Sequence, residues 1–158
     1  MPEKPLTLLE LKIPPLLVML LLGLVMWLIA KAVPALTHEY GAARFVATGL
    51  LIAGLGVIAA GVWAFRRAQT TVDPTRPGNA SAVVTGGIYR FTRNPMYLGM
   101  LLVLLAWAAV LSNVLAAAVA PLFILYMNRF QIAPEERFLR EKFGAPYEAY
   151  RRAVRRWL

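Results

Sequence analysis

The chain has no cysteine and only one histidine, His38. Without thiols there is no disulfide framework, no thiolate metal site and no cysteine nucleophile. A lone histidine supplies no histidine metal cluster, and His38 reads as a loop residue at a membrane edge. No metal centre is expected. Acidic residues are scarce, 8 Asp and Glu against 17 Lys and Arg, for a net charge of +9. The phosphate-binding glycine patterns are also missing. There is no GxxxxGK[ST], and no strand leads through glycines into a helix.

Apolar residues are what the chain has in excess, 59% of 158 residues with a mean hydropathy of +0.61. They fall in long runs almost free of charge, the pattern of bilayer spans. The length suits a single membrane domain over 1–158. The first run, 13–33, enters through Pro14-Pro15 and stops at Pro34. It is too long for a signal-peptide core, and Glu3 and Glu10 dilute the positive flank, so it reads as an uncleaved span. The second run, 45–65, carries Gly49, Ala53, Gly56 and Ala60, small residues expected to pack against another helix of the same chain, with a homodimer face as the alternative. A polar segment follows, with turn signals at Asp73-Pro74 and Pro77-Gly78-Asn79. The third stretch, Pro95 to Met127, is too long for one span and is interrupted at Ser112-Asn113. It predicts a helical hairpin with arms 96–111 and 114–127, the second kinked at Pro121.

The tail from 133 to 158 is amphipathic. Pro134 suits a first helical position and Glu135-Glu136 suit the positive helix end. Gly144-Ala145-Pro146 breaks the helix. A following helix is expected to place Tyr147, Tyr150, Val154 and Trp157 on one stripe flanked by arginines. The fold class is therefore an all-α integral membrane protein with four transmembrane helices, the last two a hairpin, plus C-terminal amphipathic cytoplasmic helices. Of the 17 Lys and Arg, only Lys31 and Arg44 fall on the side opposite the termini. That asymmetry places both termini in the cytoplasm and supports an even number of spans. Anionic lipid headgroups, not nucleic acid, are the partners such flanking charge suits. The compact architecture suits a prokaryotic inner membrane.

Two polar clusters flank the hairpin, one within 81–99 and one within 133–158. A hairpin returns the chain to its starting side, so the clusters are expected to meet. Gly86 and Gly87 permit close backbone approach. Tyr89 and Tyr97 offer aromatic faces for a cation. Glu135 and Glu136 are paired acids in a basic chain. Each feature also has a plain reading, interface anchoring for the arginines and tyrosines and first-turn acids for the glutamates.

Taken together these residues resemble the isoprenylcysteine carboxyl methyltransferase family and the related membrane phospholipid methyltransferases. The likeness rests on Thr-x-Gly-x-Tyr-x-x-x-Arg-(His/Asn)-Pro-x-Tyr-x-Gly, realised from Thr85 to Gly99. Its second part is Glu-Glu-x-x-Leu-x-x-x-Phe-Gly-x-x-Tyr-x-x-Tyr, realised from Glu135 to Tyr150. The resemblance implies methyl transfer from S-adenosylmethionine to a lipophilic acceptor reached from the bilayer. It implies cofactor contacts at Ser81, Ala82, Val83, Val84, Tyr89, Asn94, Pro95, Met96, Tyr97 and Glu135. Glu136 is a candidate support or proton acceptor, and Arg93 and Arg129 are candidate anchors for an anionic group. Asn94 replaces the frequent histidine and can still hydrogen-bond. Gln131 stands where the isoprenylcysteine enzymes often carry an arginine that pairs with the substrate carboxylate. The acceptor thus stays open between a prenylcysteine carboxylate, the first reading, and a phosphatidylethanolamine amine. An NADPH-dependent membrane reductase and a non-catalytic lipid-binding protein are the rival functions.

Overall fold

The structure, a computed structural model, describes residues 10–38, 40–68 and 81–158. The turn signals at 73–74 and 77–79 lie outside the described residues. All secondary structure among the described residues is helical apart from one isolated bridge, between Thr37 and Asn113. Helix α1 spans Pro15–Ala32, α2 Ala43–Arg67 and α3 Pro95–Leu111. Prolines open α1 and α3, where a missing N–H leaves no bond unmade. Beyond a turn at Ser112 the chain continues as α4 Val114–Ala117, α5 Ala120–Tyr126, a π-helical stretch Met127–Ile132, and α6 Ala133–Phe143. Helix α7, Ala145–Ala153, follows Gly144, whose φ of +57° allows the sharp change of direction.

Three rods are long and apolar enough to cross a bilayer, Pro15–Ala32, Ala43–Arg67 and Val114–Phe143, with the shorter apolar Pro95–Leu111 among them. At about 1.5 Å per residue, α3 reaches roughly 26 Å, slightly short of a hydrocarbon core of about 30 Å. The hairpin lies where Ser112-Asn113 placed it. Ser112 takes φ +49°, and the Asn113 side chain accepts from the Ala116 N–H at 3.0 Å. The same amide donates to the Val33 carbonyl at 2.9 Å and the Thr37 hydroxyl at 3.0 Å. His38 N–H reaches the Ser112 carbonyl at 2.8 Å. One buried asparagine thus ties the α1–α2 connection to the hairpin turn. His38 is exposed in that connection.

Three expectations need correction. The second hairpin arm does not stop at Met127; it runs on through Pro134 to Phe143. Pro134 lacks the N–H that would bond the Phe130 carbonyl, and that carbonyl instead accepts from Leu11 N–H at 3.0 Å. The local π widening absorbs the change of pitch. Next, the stripe Gly49, Ala53, Gly56 does not pack inside the chain. These residues are exposed, and a Cβ at Gly49 or Gly56 would meet nothing within 4 Å. The packed face of α2 is instead Ala47, Gly54, Gly61 and Ala64. A Cβ on Gly54 would lie 2.8 Å from the Gly99 carbonyl oxygen, and one on Gly99 would lie 2.5 Å from Ile58 Cγ1. The two backbones touch there, which fixes the rotation of α2. Finally, the last helix ends at Ala153, so Val154 and Trp157 leave the helical stripe for an extended tail.

Both α1 and α2 lean on α3 and scarcely touch each other. Met26, Leu104, Phe123, Met127 and Ile132 are the buried centre of the core.

Candidate functional site

The start of α3 is bound to the chain's extended tail. Arg93 N–H donates to the Arg155 carbonyl at 3.0 Å. Asn94 Nδ2 donates to the Arg156 carbonyl at 2.9 Å, and the Thr92 hydroxyl reaches the same carbonyl at 3.3 Å. Arg93 Nη1 donates to the Arg151 carbonyl at 3.3 Å. Farther along the tail, Trp157 Nε1 donates to Asn128 Oδ1 at 3.0 Å. The tail therefore bridges the start of α3 and the π stretch.

Glu136 lies where these parts converge. Its carboxylate is buried and takes Arg93 Nη2 at 3.0 Å and Arg156 Nη2 at 2.7 Å, with Arg156 Nε at 3.1 Å. The fork from Arg156 engages both carboxylate oxygens. Glu135 makes different contacts. Tyr97 Oη and Gln131 Nε2, the latter at 2.7 Å, both donate to its Oε1. Gln131 and Tyr97 are 1% and 5% exposed, so the two neutral donors are fixed by their surroundings. Gln131 and Glu135 are four apart on the rod and share a face.

Three tyrosines wall the site. Tyr89 is buried with its ring edge-to-face on Phe65 at 5.3 Å between centroids. Its carbonyl accepts from Tyr150 Oη at 2.8 Å. Burial pushes the Tyr89 and Tyr150 phenols above their ordinary range. It raises Tyr147 to about 12, with the nearby Glu136 adding to it. All three stay neutral at physiological pH.

The sequence-predicted residues thus separate into groups. Arg93, Asn94, Tyr97, Glu135 and Glu136 come together, with Tyr89 in the adjoining wall. Pro95 is buried and Met96 lies against Gly61, where an added Cβ would come within 3.0 Å of Met96 Cγ. Ser81 is exposed and Ala82, Val83 and Val84 are half-buried in the approach to Gly87, which turns at φ +60°. Arg129 is not in the Glu136 network. With Arg137 it pairs with the buried Glu10, ahead of α1. Burial pushes the Glu10 carboxyl up, but hydrogen bonds and charge from both arginines outweigh this and hold it below the usual carboxylate range.

Sequence reasoning missed Gln131 as a partner of Glu135, although their spacing carried a signal. It also missed Glu10, Asn128 and the backbone of the tail. No local pattern announces those, since Glu10 and Arg129 are 119 positions apart.

Chemically, the cluster offers one carboxylate neutralised by two guanidiniums beside a carboxyl held by neutral donors. Arg93 Nε is buried and has no hydrogen-bond partner among the described residues, a donor in want of an acceptor. The described residues form a helical integral membrane protein with this polar cluster at one end of its bundle. The chain belongs to the phospholipid methyltransferase family, whose model matches residues 42–146. An uncharacterized protein of Haemophilus influenzae is 54% identical over 63 residues, 40% of this chain and all of that protein. Proteins of two rice subspecies, Oryza sativa indica and japonica, are each named probable protein-S-isoprenylcysteine O-methyltransferase. Each is 32% identical over 109 residues, 69% of this chain. The matched region spans 54% of the rice proteins' length. No solved structure matches the chain.

Proposed function

We propose that this protein transfers a methyl group from S-adenosylmethionine to a lipophilic acceptor at the cytoplasmic membrane face. The observation that carries this reading is the joining of the two sequence blocks by Arg93 and Glu136, with Glu135 held beside them by Tyr97 and Gln131. The donor fits the residues present. Glu135 is a carboxyl for its polar end, and the open Arg93 Nε suits its α-carboxylate. S-adenosylmethionine supplies a methyl already activated on a sulfonium. The protein's part is alignment and exclusion of water. Tyr97 and Gln131 orient Glu135. Glu136 positions Arg93 and Arg156, since both its oxygens are taken by guanidinium donors. Tyr89, Tyr147 and Tyr150 exclude water without adding charge.

An isoprenylcysteine carboxylate is the first acceptor, supported by the names of the rice relatives. A carboxylate needs no base. A second reading, a phospholipid amine, is favoured by the pairing of charges. Arg93 and Arg156 are committed to Glu136, and Arg129 and Arg137 to Glu10. Gln131 adds no charge where a carboxylate would need one.

The test is transfer of labelled methyl from S-adenosylmethionine into a phosphatidylethanolamine-containing lipid extract and, separately, into a prenylcysteine analogue. Label in the analogue supports the first acceptor, and label in lipid alone supports the second. Label in neither, with stabilisation by NADPH alone, overturns the methyl-transfer reading in favour of a reductase. Folded protein that binds neither cofactor favours a non-catalytic lipid-binding protein. Glu135→Ala should weaken S-adenosylhomocysteine binding at least tenfold, given about 1.5–3 kcal/mol for a charged hydrogen bond. Unchanged affinity in calorimetric titration of both Glu135→Ala and Tyr97→Ala would place the cofactor elsewhere.

A further inference from the structure

At the end of the bundle away from Glu135, a groove of about 1100 Å³ opens between α1 and α2. Its floor is α3, with Leu104 and Trp107; its walls are Leu24 and Trp27 of α1 and Leu51 of α2. The groove exists because α1 and α2 both rest on α3 and scarcely touch each other. Trp107 Nε1 donates to the Gly23 carbonyl at 3.0 Å, which ties the indole edge to α1 and satisfies its one polar atom. The volume lies just above the range of small-molecule sites, roughly 300–1000 Å³. In a bilayer such a space is filled by something apolar, because its walls offer water few partners.

The mouth carries the charge that identifies the occupant. Arg44, in the first turn of α2, lines the groove together with Tyr40. Lys31 ends α1 at the same end of the bundle. Neither cation has an ion pair with a carboxylate among the described residues. Thr48, farther into the groove, turns its hydroxyl back onto the Arg44 carbonyl at 2.8 Å and so presents its methyl to the space.

We infer that this groove holds one anionic phospholipid, with an acyl chain along α3 between α1 and α2 and the headgroup phosphate on Arg44. The lipid completes the bundle where the protein leaves α1 and α2 apart. The site is separate from the Glu135 cluster and does not depend on the methyl-transfer reading.

The test uses the full chain in nanodiscs of phosphatidylcholine containing phosphatidylglycerol, released into native mass spectrometry. Wild type should retain one phosphatidylglycerol per chain in preference to phosphatidylcholine. Arg44→Ala should lower that preference about fivefold, as expected for one cation at a charged surface. Thr48→Phe should narrow the groove beside Arg44 and reduce retention while helicity by circular dichroism is unchanged. If Thr48→Phe does not fold, Arg44→Ala, at an exposed position, still decides. Equal retention of both lipids by wild type, or an Arg44→Ala protein as selective as wild type, overturns the inference. So does a dimer with no bound lipid, which would make a second copy of the chain the occupant.

Discussion

Glu136 and Glu135 are neighbours in sequence with opposite circumstances. Glu136 balances Arg93, whose side chain is 10% exposed, and Arg156, whose side chain is 35% exposed. Glu136→Gln leaves the Arg93 guanidinium buried without a countercharge. It should destabilise the protein by about 3 kcal/mol, the lower end for a broken buried pair. Arg156→Ala removes a more solvated partner and should cost about 1 kcal/mol. Unfolding by denaturing detergent in mixed micelles measures both, and equal losses would count against the buried role of Arg93. Glu10 makes a pH-dependent contribution. Its carboxyl is held below the usual range by Arg129 and Arg137, so the clamp stabilises fully above the unfolded carboxylate pKa of about 4.3. That stability is lost as pH falls through the lower folded value. Melting temperature against pH should therefore drop less steeply below about pH 4.3 in Glu10→Gln than in wild type, and the two curves should converge in acid. Parallel curves would show that the Glu10 clamp does not contribute.

Among the elements, the α2–α3 contact is the least tolerant. A methyl at Gly99 would sit 2.5 Å from Ile58 Cγ1 and 2.6 Å from the Gly54 carbonyl oxygen. The backbone carbonyl cannot rotate away, so the helices must part. Gly99→Ala should cost about 3 kcal/mol, the upper part of the overpacking range. Gly56→Ala meets open space and should be neutral or stabilising by up to about 1 kcal/mol. Unfolding measurements on the pair check the rotation of α2 directly, because the sequence pattern alone points to Gly56 as the packed position. Small residues on two faces of α2 satisfy the same spacing rule, and only the meeting of Gly54 with Gly99 selects between them. Other elements were easier to read. The hairpin follows from Ser112-Asn113 because an asparagine at that point caps the returning helix through its own side chain. The continuation through Pro134 was hidden. A proline ordinarily marks a helix start, and the Phe130 carbonyl it frees is satisfied by Leu11, more than a hundred positions away. The meeting of the two blocks was legible because hairpin geometry requires it. The last helix and the tail fasten them through backbone carbonyls of Arg151, Arg155 and Arg156, which no side-chain pattern reveals.

For the whole molecule, the distribution of charge and the up-and-down helices make one claim about orientation that the absence of cysteine renders easy to examine. Gly41 lies in the α1–α2 connection and Gly86 in the approach to the candidate site. Both are exposed, and neither would bring a Cβ within 4 Å of another group. Either position accepts a cysteine without disturbing packing, and the chain contributes no thiol of its own to the background. The two lie at opposite ends of α2, which at 25 residues and about 1.5 Å each is long enough to separate them by a full bilayer. The cation-rich end holds Arg66, Arg67, Arg90 and the arginine-rich tail, while among the described residues Lys31 and Arg44 are the Lys and Arg at the other. Retention of cationic loops in the cytoplasm predicts that Gly86→Cys reacts with a membrane-impermeant maleimide only in inverted vesicles. Gly41→Cys should react only in right-side-out spheroplasts. Reaction of both from one side would remove α2 from the set of spans and with it the even count. Exchange of the two patterns would keep the bundle but turn the Glu135 cluster toward the exterior, away from any cytoplasmic supply of S-adenosylmethionine.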